Sequence, residues 1–399
     1  MFRRYFLRKI DEDFLADEFK KINVTEVGSG IMMQKSPTML IKVYGLSAAA
    51  ANILKQEFLS RGGDVAVERD CVSGKTEKTD AIIMATPKII ADVVPHLMLQ
   101  EFGFTDLAED LLEIIKKENT KPTSIIAGKY KLDFSDSPLI MGILNVTPDS
   151  FSGDGVFYND EKALTEKIEK MIADGVDIID IGGESTRPGS ADISVDEEKE
   201  RVLPALKSAA RYDIPVSIDT RNSETAQLAV DFGAAVINDI SGLRFDPKMA
   251  KTVVDSGAAI VLNHIRGVPQ NMTEYADYGS FMDELTMELA GSVNNAIESG
   301  ISLNKMIIDP GFGFAKRAEH NTELLRRINE LEYFALPLLV GISRKRFLTE
   351  IIGSDDIEER DLATLTADIM LTLGGADILR VHNIKMTKIA LKTIVGLKK

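Results

Sequence analysis

Polar side chains that could bind and activate a small molecule recur at the ends of short apolar runs from about residue 138 onward. These side chains are Asn145, Asp180, Glu184, Asp219, Asn238, Asp239, His264, Asp309, Ser343, Arg344, Lys345, Arg380 and His382. Any one of them could cap a helix or begin a turn. So many coincidences are harder to explain in that way, and the pattern indicates one shared binding site.

The charges of these residues divide the predicted site into two sides. Carboxylates and amides end the third, fourth and sixth apolar runs, whereas cations follow the seventh and eighth. A buried carboxylate accepts well from the paired N–H groups of an amino-pyrimidinone edge, although many nitrogen heterocycles offer such pairs. Arg380 and His382 alternate along one apolar run, so they should point the same way and could bind a phosphate. The pattern predicts a heterocycle site beside an anion site.

Eight apolar runs, each followed by a helical segment, would position these side chains. The runs are PLIMGILNV (138–146), DIIDIGG (177–183), PVSIDT (215–220), AVINDIS (235–241), AAIVLNHI (258–265), MIIDPG (306–311), PLLVGIS (337–343) and ILRVHNI (378–384). Eight βα units in about 260 residues are typical of a TIM barrel, whose active site lies at the carboxyl ends of the strands. No GxGxxG or GxxxxGK[ST] motif is present. We therefore predict an α/β chain with a (β/α)8 TIM barrel over residues 135–399.

The preceding 134 residues carry a different pattern. Alternating apolar runs at 38–46, 64–70 and 80–87 indicate strands, and segment 48–60 has a helical period. Two more helical stretches follow before a polar segment, KPTS. We predict a small α/β N-terminal domain over residues 1–134, of unknown role.

Composition limits the classes of partner. The formal net charge of −15 would repel a nucleic-acid backbone, so we expect no nucleic-acid partner. The single cysteine, Cys71, fits a reducing compartment. Charged residues interrupt the apolar runs near the N-terminus, and no uncharged apolar stretch approaches the length of a membrane span. We expect a cytoplasmic protein without a membrane partner.

Seven motifs, in the same order along the chain, resemble those of the dihydropteroate synthases. They are NVTPDSFS (145–152), DIGGESTRPG (180–189), SIDT (217–220), INDI (237–240), DPGFGFAK (309–316), GISRK (341–345) and RVH (380–382). The resemblance covers residues 138–399 and implies a pterin-binding TIM barrel that joins 6-hydroxymethyl-7,8-dihydropterin diphosphate to p-aminobenzoate in folate biosynthesis. It also implies a homodimer and a requirement for Mg²⁺.

The resemblance assigns a role to each matching residue. It implies that Asn145 is the Mg²⁺ ligand, and that Lys345, Arg380 and His382 are the catalytic residues, with Lys345 reaching the space between the two substrates and the other two binding the diphosphate. The implied substrate-binding residues are Thr186, Arg187, Asp219, Asn238, Asp309, Phe314, Lys345, Arg380 and His382. Of these, Arg187 and Phe314, together with Pro188 and the 147–152 segment, fall near p-aminobenzoate.

Several positions depart from the family pattern. Ala315 stands where Gly is usual, Asn383 where Asp is common and Asn263 where Met is expected, and FSGDG replaces the commoner FSDGG order. Three other functions stay open: a methyltransferase that acts between a methyl-tetrahydrofolate and a corrinoid protein, a pterin-binding scaffold without catalysis, and a synthase for a substituted arylamine. The first two are disfavoured by the cationic cluster and by the retained metal-type residue.

Overall fold

The computed structural model describes residues 15, 19–20, 25–35, 38–71, 73, 75–101, 103–117, 121–146, 160–185 and 192–398. The chain divides into two compact units, Met1–Thr120 and Lys121–Lys399. Within the described ranges, no helix is long and apolar enough to cross a membrane.

The first unit is a three-stranded antiparallel sheet with helices on one face. Its elements are α1 (Glu26–Met33), β1 (Met39–Ser47), α2 (Ala48–Leu59), β2 (Asp64–Val67), β3 (Lys78–Ala85), α3 (Pro87–Leu97) and α4 (Phe104–Lys117), with a 3-10 turn at Arg69–Cys71. The strand order is β1-β3-β2.

Alternation along the strands determines which face of this sheet is covered. Every second residue of β3 is buried from Thr79 to Ala85, and these side chains face the helices. Ala50, Leu54 and Phe58 lie at helical spacing along α2 and join the same core cluster. The Ser47 hydroxyl begins α2 by accepting a hydrogen bond from the Ala50 amide at 3.1 Å. The predicted small α/β arrangement is therefore present in this unit.

The second unit contains an eight-stranded parallel sheet. The strands of this unit are β4 (Ser124–Ala127) and β5 (Tyr130–Asp133), which pair with each other, and the eight strands of the parallel sheet, β6 (Leu139–Asn145), β7 (Ile178–Gly182), β8 (Val216–Asp219), β9 (Val236–Asp239), β10 (Ala259–Asn263), β11 (Met306–Asp309), β12 (Leu339–Val340) and β13 (Ile378–Val381). Its helices are α5 (Glu161–Asp174), α6 (Val195–Ala209), α7 (Ser223–Asp231), α8 (Met249–Ser256), α9 (Phe281–Glu298), α10 (Ala318–Arg326), α11 (Arg346–Ile352), α12 (Ile357–Leu373) and α13 (Ile384–Lys398), with 3-10 turns at Met272–Tyr275, Leu303–Lys305 and Ile328–Phe334.

The eight strands β6 to β13 form the predicted TIM barrel. Their order is β11-β10-β9-β8-β7-β6-β13-β12, and a parallel bridge between Ile308 and Leu338 joins the two ends of that series. One apolar cluster fills the layer between the strands and the surrounding helices. Because both faces of each strand are covered, the strands are almost continuously buried, which explains their unbroken apolar runs. The fold prediction is confirmed.

A hairpin of β4 and β5 covers the amino-terminal end of the barrel. Ile125, Ala127, Leu132 and Phe134 pack in one cluster with interior residues of the barrel strands. Gly128, at φ +54°, begins the two-residue turn between Ala127 and Tyr130. The division between the units therefore precedes the predicted boundary near residue 135, since the hairpin packs with the barrel.

Candidate functional site

The interior of the barrel is built in two layers. The lower layer is apolar and consists of Met141, Ile178, Val236, Val261, Ile307, Leu339 and Ile378. Side chains alternate along a strand, so the residues two positions further on enter the same interior one layer higher. That upper layer includes Asp180, Asn238, Asn263, Asp309 and Arg380. Polar groups therefore stand on an apolar floor at the carboxyl ends of the strands, where TIM barrels hold their active sites.

Arg380 lies at the centre of the upper layer. Its Nε donates to Asp180 Oδ2 at 2.6 Å, and its Nη2 donates to Asp219 Oδ2 at 2.5 Å. Asn238 Nδ2 donates to the same Asp180 oxygen at 3.3 Å. One guanidinium thus links carboxylates from two neighbouring strands to an amide from a third. The Arg380 Nη1 group makes no hydrogen bond within the described residues and is free to bind a ligand.

The electrostatics of this group follow from its burial. Burial raises the pKa of Asp219 to about 7, although the positive charge of Arg380 opposes the shift. Burial by itself would lower the pKa of Arg380, but Asp180 and Asp219 more than offset that effect, so Arg380 stays charged. Asp180 is fully buried, and its Oδ1 atom has no hydrogen-bond partner within the described residues. The layer contains more acceptors than donors, which suits a ligand rich in N–H groups.

The loop after β11 is held by hydrogen bonds to the side chains of Asp309, Lys316 and Asn321. Asp309 Oδ1 accepts from the Gly311 amide at 2.7 Å, and Asn321 Oδ1 accepts from the Gly313 amide at 2.7 Å. The buried Lys316 Nζ donates to the carbonyl oxygens of Gly311 and Phe314 at 3.0 and 3.1 Å. With so many of its peptide groups bonded, the loop presents Phe314 and Asp309 in a fixed arrangement.

Lys345 follows β12, and its side chain packs against the loop after β11. Its Nζ atom lies 4.2 Å from the centre of the Phe314 ring. Burial lowers the pKa of Lys345 to about 8, and the positive charge of Arg380 adds to the shift. Gly313 makes room for this side chain, since a Cβ atom there would lie 2.8 Å from Lys345 Cδ. The Phe314 ring and the Lys345 side chain, whose pKa is lowered, therefore lie together on one side of the site.

His382 and Arg344 are held in different ways. His382 shares a 2.9 Å hydrogen bond between its Nδ1 atom and Ser343 Oγ, which orients the imidazole beside Arg380 on the same strand. Arg344 instead binds both oxygens of Asp361, at 2.6 and 2.8 Å. The sequence placed Arg344 among the cations of the predicted binding site, but in the structure it forms this ion pair. The cationic side of the site is therefore formed by Lys345, Arg380 and His382.

Comparison with known proteins places this geometry in a family. A model described as pterin binding enzyme matches residues 141–382. The dihydropteroate synthase of Synechocystis sp. is 42% identical over 265 residues, which make up 66% of this chain and 91% of that protein. The chain belongs to the dihydropteroate synthase family. Members of this family are transferases that join 6-hydroxymethyl-7,8-dihydropterin diphosphate to p-aminobenzoate, with release of diphosphate.

Solved structures of family members share the barrel. The Yersinia pestis dihydropteroate synthase, in complex with a sulfonamide drug, is 37% identical with a TM-score of 0.65, and the match covers 69% of this chain and 98% of that one. The Thermus thermophilus enzyme, in complex with 4-aminobenzoate, is 36% identical with a TM-score of 0.61, over 69% and 99% of the two chains. Both matches cover nearly the whole solved chain and about two thirds of this one.

The residues around Asn145 are compatible with the metal ion that the family resemblance implies. Asn145 ends β6, and its Oδ1 atom lies 3.7 Å from the position that a Cβ atom on Gly182 would occupy, as does Asp219 Oδ2. No hydrogen bond engages the Asn145 amide within the described residues. No cluster of three or more His, Cys, Asp or Glu side chains there could hold a metal by itself. A single oxygen ligand suits Mg²⁺, which keeps several waters and often reaches a protein through substrate phosphates.

Part of the predicted site lies outside the described residues. Thr186, Arg187, Pro188 and the segment 147–152 fall in that part of the chain. Each remains a prediction from the motifs. The other predicted site residues lie in the described part of the chain, at the carboxyl ends of the strands: Asn145, Asp219, Asn238, Asp309, Phe314, Lys345, Arg380 and His382.

Two features of this site were missed at the sequence level. Asp180 was recognised as a strand-end carboxylate, but its partnership with Arg380 was not. Lys316 also binds His264 Nδ1 at 2.9 Å, and His264 Nε2 lies 2.9 Å from Glu288 Oε2. Burial lowers the pKa of His264 to about 3, so its imidazole is neutral and can accept from Lys316. The available signal for this network was a histidine directly after β10 and a lysine in the loop after the next strand, β11.

Proposed function

We propose that this chain catalyses the family reaction, in which the p-aminobenzoate amine displaces diphosphate from the methylene carbon of the pterin. The observation that carries the proposal is the buried layer in which carboxylates and amides lie together with the cations Lys345, Arg380 and His382. The first group matches the donors of a reduced pterin, and the second matches a diphosphate. The C–N bond forms as the C–O bond breaks, and the amine then loses a proton to solvent.

The pterin ring is assigned to Asp219, Asn238 and Asp309. All three are less than a tenth exposed and stand on the apolar floor of the barrel. Paired ring N–H groups would replace water at the carboxylates, in a cavity that strengthens each hydrogen bond. Burial also raises the pKa of Asp309, so the carboxylates gain from donors that a bound pterin brings. These groups recognise and orient the substrate.

The leaving group is assigned to Arg380, His382 and the metal site. Arg380 remains charged because of its two carboxylates, and its free Nη1 group can donate to a diphosphate oxygen. Asn145 would hold Mg²⁺, which neutralises negative charge on the diphosphate when bound. Stabilising the departing charge is the main demand of this displacement, so no protein nucleophile is needed.

The arylamine is assigned to the side formed by Phe314 and Lys345. The Phe314 ring offers a flat apolar surface, and the Lys345 ammonium lies between that ring and the pterin carboxylates. Arg187 completes this side by resemblance, which also makes Thr186 a substrate-binding residue. The family member from Thermus thermophilus with bound 4-aminobenzoate supports the choice of substrate.

A cytoplasmic homodimer is part of the same proposal. The single cysteine is buried and unpaired, as expected in a reducing compartment. Leu362, Met370 and Leu373 form an exposed apolar stripe along α12, and Ile351 on α11 is also exposed. Light scattering of the wild type and of Leu362→Glu would test this surface: a dimer that becomes a monomer supports it, and an unchanged mass contradicts it.

The reaction itself is tested by diphosphate release from purified protein with Mg²⁺ and the pterin diphosphate, with and without p-aminobenzoate. We expect release that depends on the arylamine and falls at least about a hundredfold in Arg380→Ala, because a buried, hydrogen-bonded charge is lost. Arg211→Ala removes an exposed arginine two residues after α6 and serves as the control. Tight pterin binding without release would instead favour another arylamine or a methyltransferase, and a corrinoid-dependent assay separates these two.

A further inference from the structure

Lys316 is a buried lysine that the proposed reaction does not use. It lies in the loop after β11 and is 8% exposed. Its Nζ donates to the carbonyl oxygens of Gly311 and Phe314 at 3.0 and 3.1 Å and lies 2.9 Å from His264 Nδ1. Burying an amine is costly unless it is hydrogen-bonded, so these three acceptors determine where the side chain lies.

The direction of the hydrogen bond between Lys316 and His264 follows from Glu288 on α9. Burial would raise the pKa of Glu288, but hydrogen bonds from His264 and Arg266 lower it to about 2. The ionised carboxylate can only accept, so His264 Nε2, which lies 2.9 Å from Glu288 Oε2, carries the hydrogen. His264 Nδ1 is then an acceptor, and Lys316 is its donor. The carboxylate therefore orients the imidazole, and the imidazole holds the lysine.

A second connection reaches the same loop through Tyr278. The Tyr278 hydroxyl donates to the carbonyl oxygen of Ala315 at 3.0 Å. The Arg266 guanidinium lies 3.8 Å from the centre of the Tyr278 ring, and its Nε donates to Glu288 Oε1 at 2.9 Å. Glu288 is therefore connected to the loop by two separate routes.

The backbone of this loop explains why it needs such support. Three of five consecutive residues have a left-handed φ: Gly311 at +70°, Gly313 at +77° and Ala315 at +48°. The last of these is costly because Ala315 carries a Cβ atom. Phe314 lies between two of them, and its ring centre is 4.2 Å from Lys345 Nζ. A change in the loop backbone would therefore move the Phe314 ring relative to Lys345.

We propose that Lys316 is a positioning residue for the arylamine, because it fixes Phe314 in the arrangement that binds the p-aminobenzoate ring. The inference rests on the proposed function, which assigns Phe314 to that substrate. A ring that is already in place loses less entropy when the ligand binds. Asp309 instead belongs to β11 and is held by the pairing of that strand with β10. Pterin recognition therefore depends much less on Lys316.

Lys316→Met is the main test, because it keeps the length of the side chain and removes all three hydrogen bonds. We expect the KM for p-aminobenzoate to rise by about tenfold and the KM for the pterin diphosphate to stay within about twofold. The matched control is Lys305→Met, in the 3-10 turn before β11. Lys305 Nζ also donates to two carbonyl oxygens, those of Ile126 and Gly257, at 2.7 and 2.8 Å. This control should lower the Tm but leave both KM values unchanged.

A double-mutant cycle with Phe314→Ala separates positioning from general destabilisation. In the Phe314→Ala background, Lys316→Met should change the KM for p-aminobenzoate by less than about twofold, because the ring that it positions is absent. A tenfold effect in both backgrounds, or a parallel rise of both KM values, would overturn the positioning role. If Lys316→Met does not fold, Glu288→Gln takes its place in the cycle, with an expected rise of about threefold that is again lost in Phe314→Ala.

The same cycle can be measured without turnover, as the Kd for p-aminobenzoate in titration calorimetry. A wild type that shows the expected cycle in Kd but forms no product would keep the positioning role of Lys316 and refute the proposed function. A wild type that forms product while the two substitutions act additively would do the reverse.

Discussion

Protonation of Lys345 should set the alkaline limit of the reaction. Burial lowers the pKa of this side chain to about 8, so it loses its charge within the range where dihydropteroate synthesis can be assayed. The proposed role of Lys345 requires the charged form, because a cation in the space between the two substrates would stabilise the negative charge of the departing diphosphate. The perturbation that tests this is Lys345→Arg, which keeps the positive charge at all accessible pH values.

The magnitude follows from the pKa. With a value of about 8, about nine tenths of the enzyme carries the charge at pH 7 and about one tenth at pH 9. The kcat/KM for p-aminobenzoate should therefore fall by roughly tenfold between these pH values, because this ratio reports ionisations of the enzyme before p-aminobenzoate binds. Neither the carboxylate nor the arylamine of the substrate titrates in this range.

The assay is diphosphate release across pH 6.5 to 9.5 at saturating pterin diphosphate. Lys345→Arg should have lower activity at pH 7, since its fork cannot replace the lysine geometry, but should show no decline between pH 7 and 9. The control is Lys388→Arg, at a lysine paired with Asp177 away from the site, which should keep the decline of the wild type. A decline that survives in Lys345→Arg would refute the assignment.

Two predictions concern stability. Burial raises the pKa of Asp368 well above its usual value, and both of its carboxylate oxygens lack partners within the described residues. The folded state then binds more protons than the unfolded state, so the free energy of unfolding decreases as pH rises above about 3.9, by up to about 1.4 kcal/mol per pH unit. Asp368→Asn should therefore raise the Tm more at pH 8 than at pH 5. An equal gain at both pH values would contradict this. Gly142→Ala would place a Cβ atom 2.6 Å from Met171 Cε and 2.8 Å from Ile384 Cδ1. We expect a loss of about 2 kcal/mol and a Tm lower by about 4–8 °C, measured against Gly291→Ala, where the added methyl meets open space.

The barrel could be predicted because its physical signal is local. Each strand is covered on both faces, so it reads as a short apolar run, and eight such runs alternate with amphipathic helices. The hairpin of β4 and β5 escaped detection for the opposite reason. Its strands are four residues long, and they alternate between buried and exposed positions next to polar residues. Because these strands pack against the end of the barrel, their position could not be predicted before the barrel itself was known.

The site was predicted as a set of residues but not as a set of contacts. A polar residue at a strand end is visible in the sequence, and alternation says which residues share the interior. Arg380 and Asp180 are 200 positions apart, and their hydrogen bond depends on the barrel closing with β13 beside β6 and β6 beside β7. Arg344 is the opposite case. Its position after a barrel strand favoured a role in ligand binding, but in the structure it pairs with Asp361 on α12.

The departures from the family pattern have physical counterparts in this structure. Asn383, where Asp is common, donates from Nδ2 to Asp361 Oδ2 at 2.8 Å and accepts from the Met386 amide at the start of α13. An aspartate at 383 would place a second carboxylate against Asp361 and lose that donor, so the amide fits a chain in which Asp361 already neutralises Arg344. Ala315, where Gly is usual, has a φ of +48°, which is costly for any residue with a Cβ atom. Its carbonyl accepts from the Tyr278 hydroxyl at 3.0 Å. This hydrogen bond from Tyr278 and those that Lys316 makes to the same loop stabilise the left-handed backbone conformation of Ala315, which glycine would adopt at no steric cost.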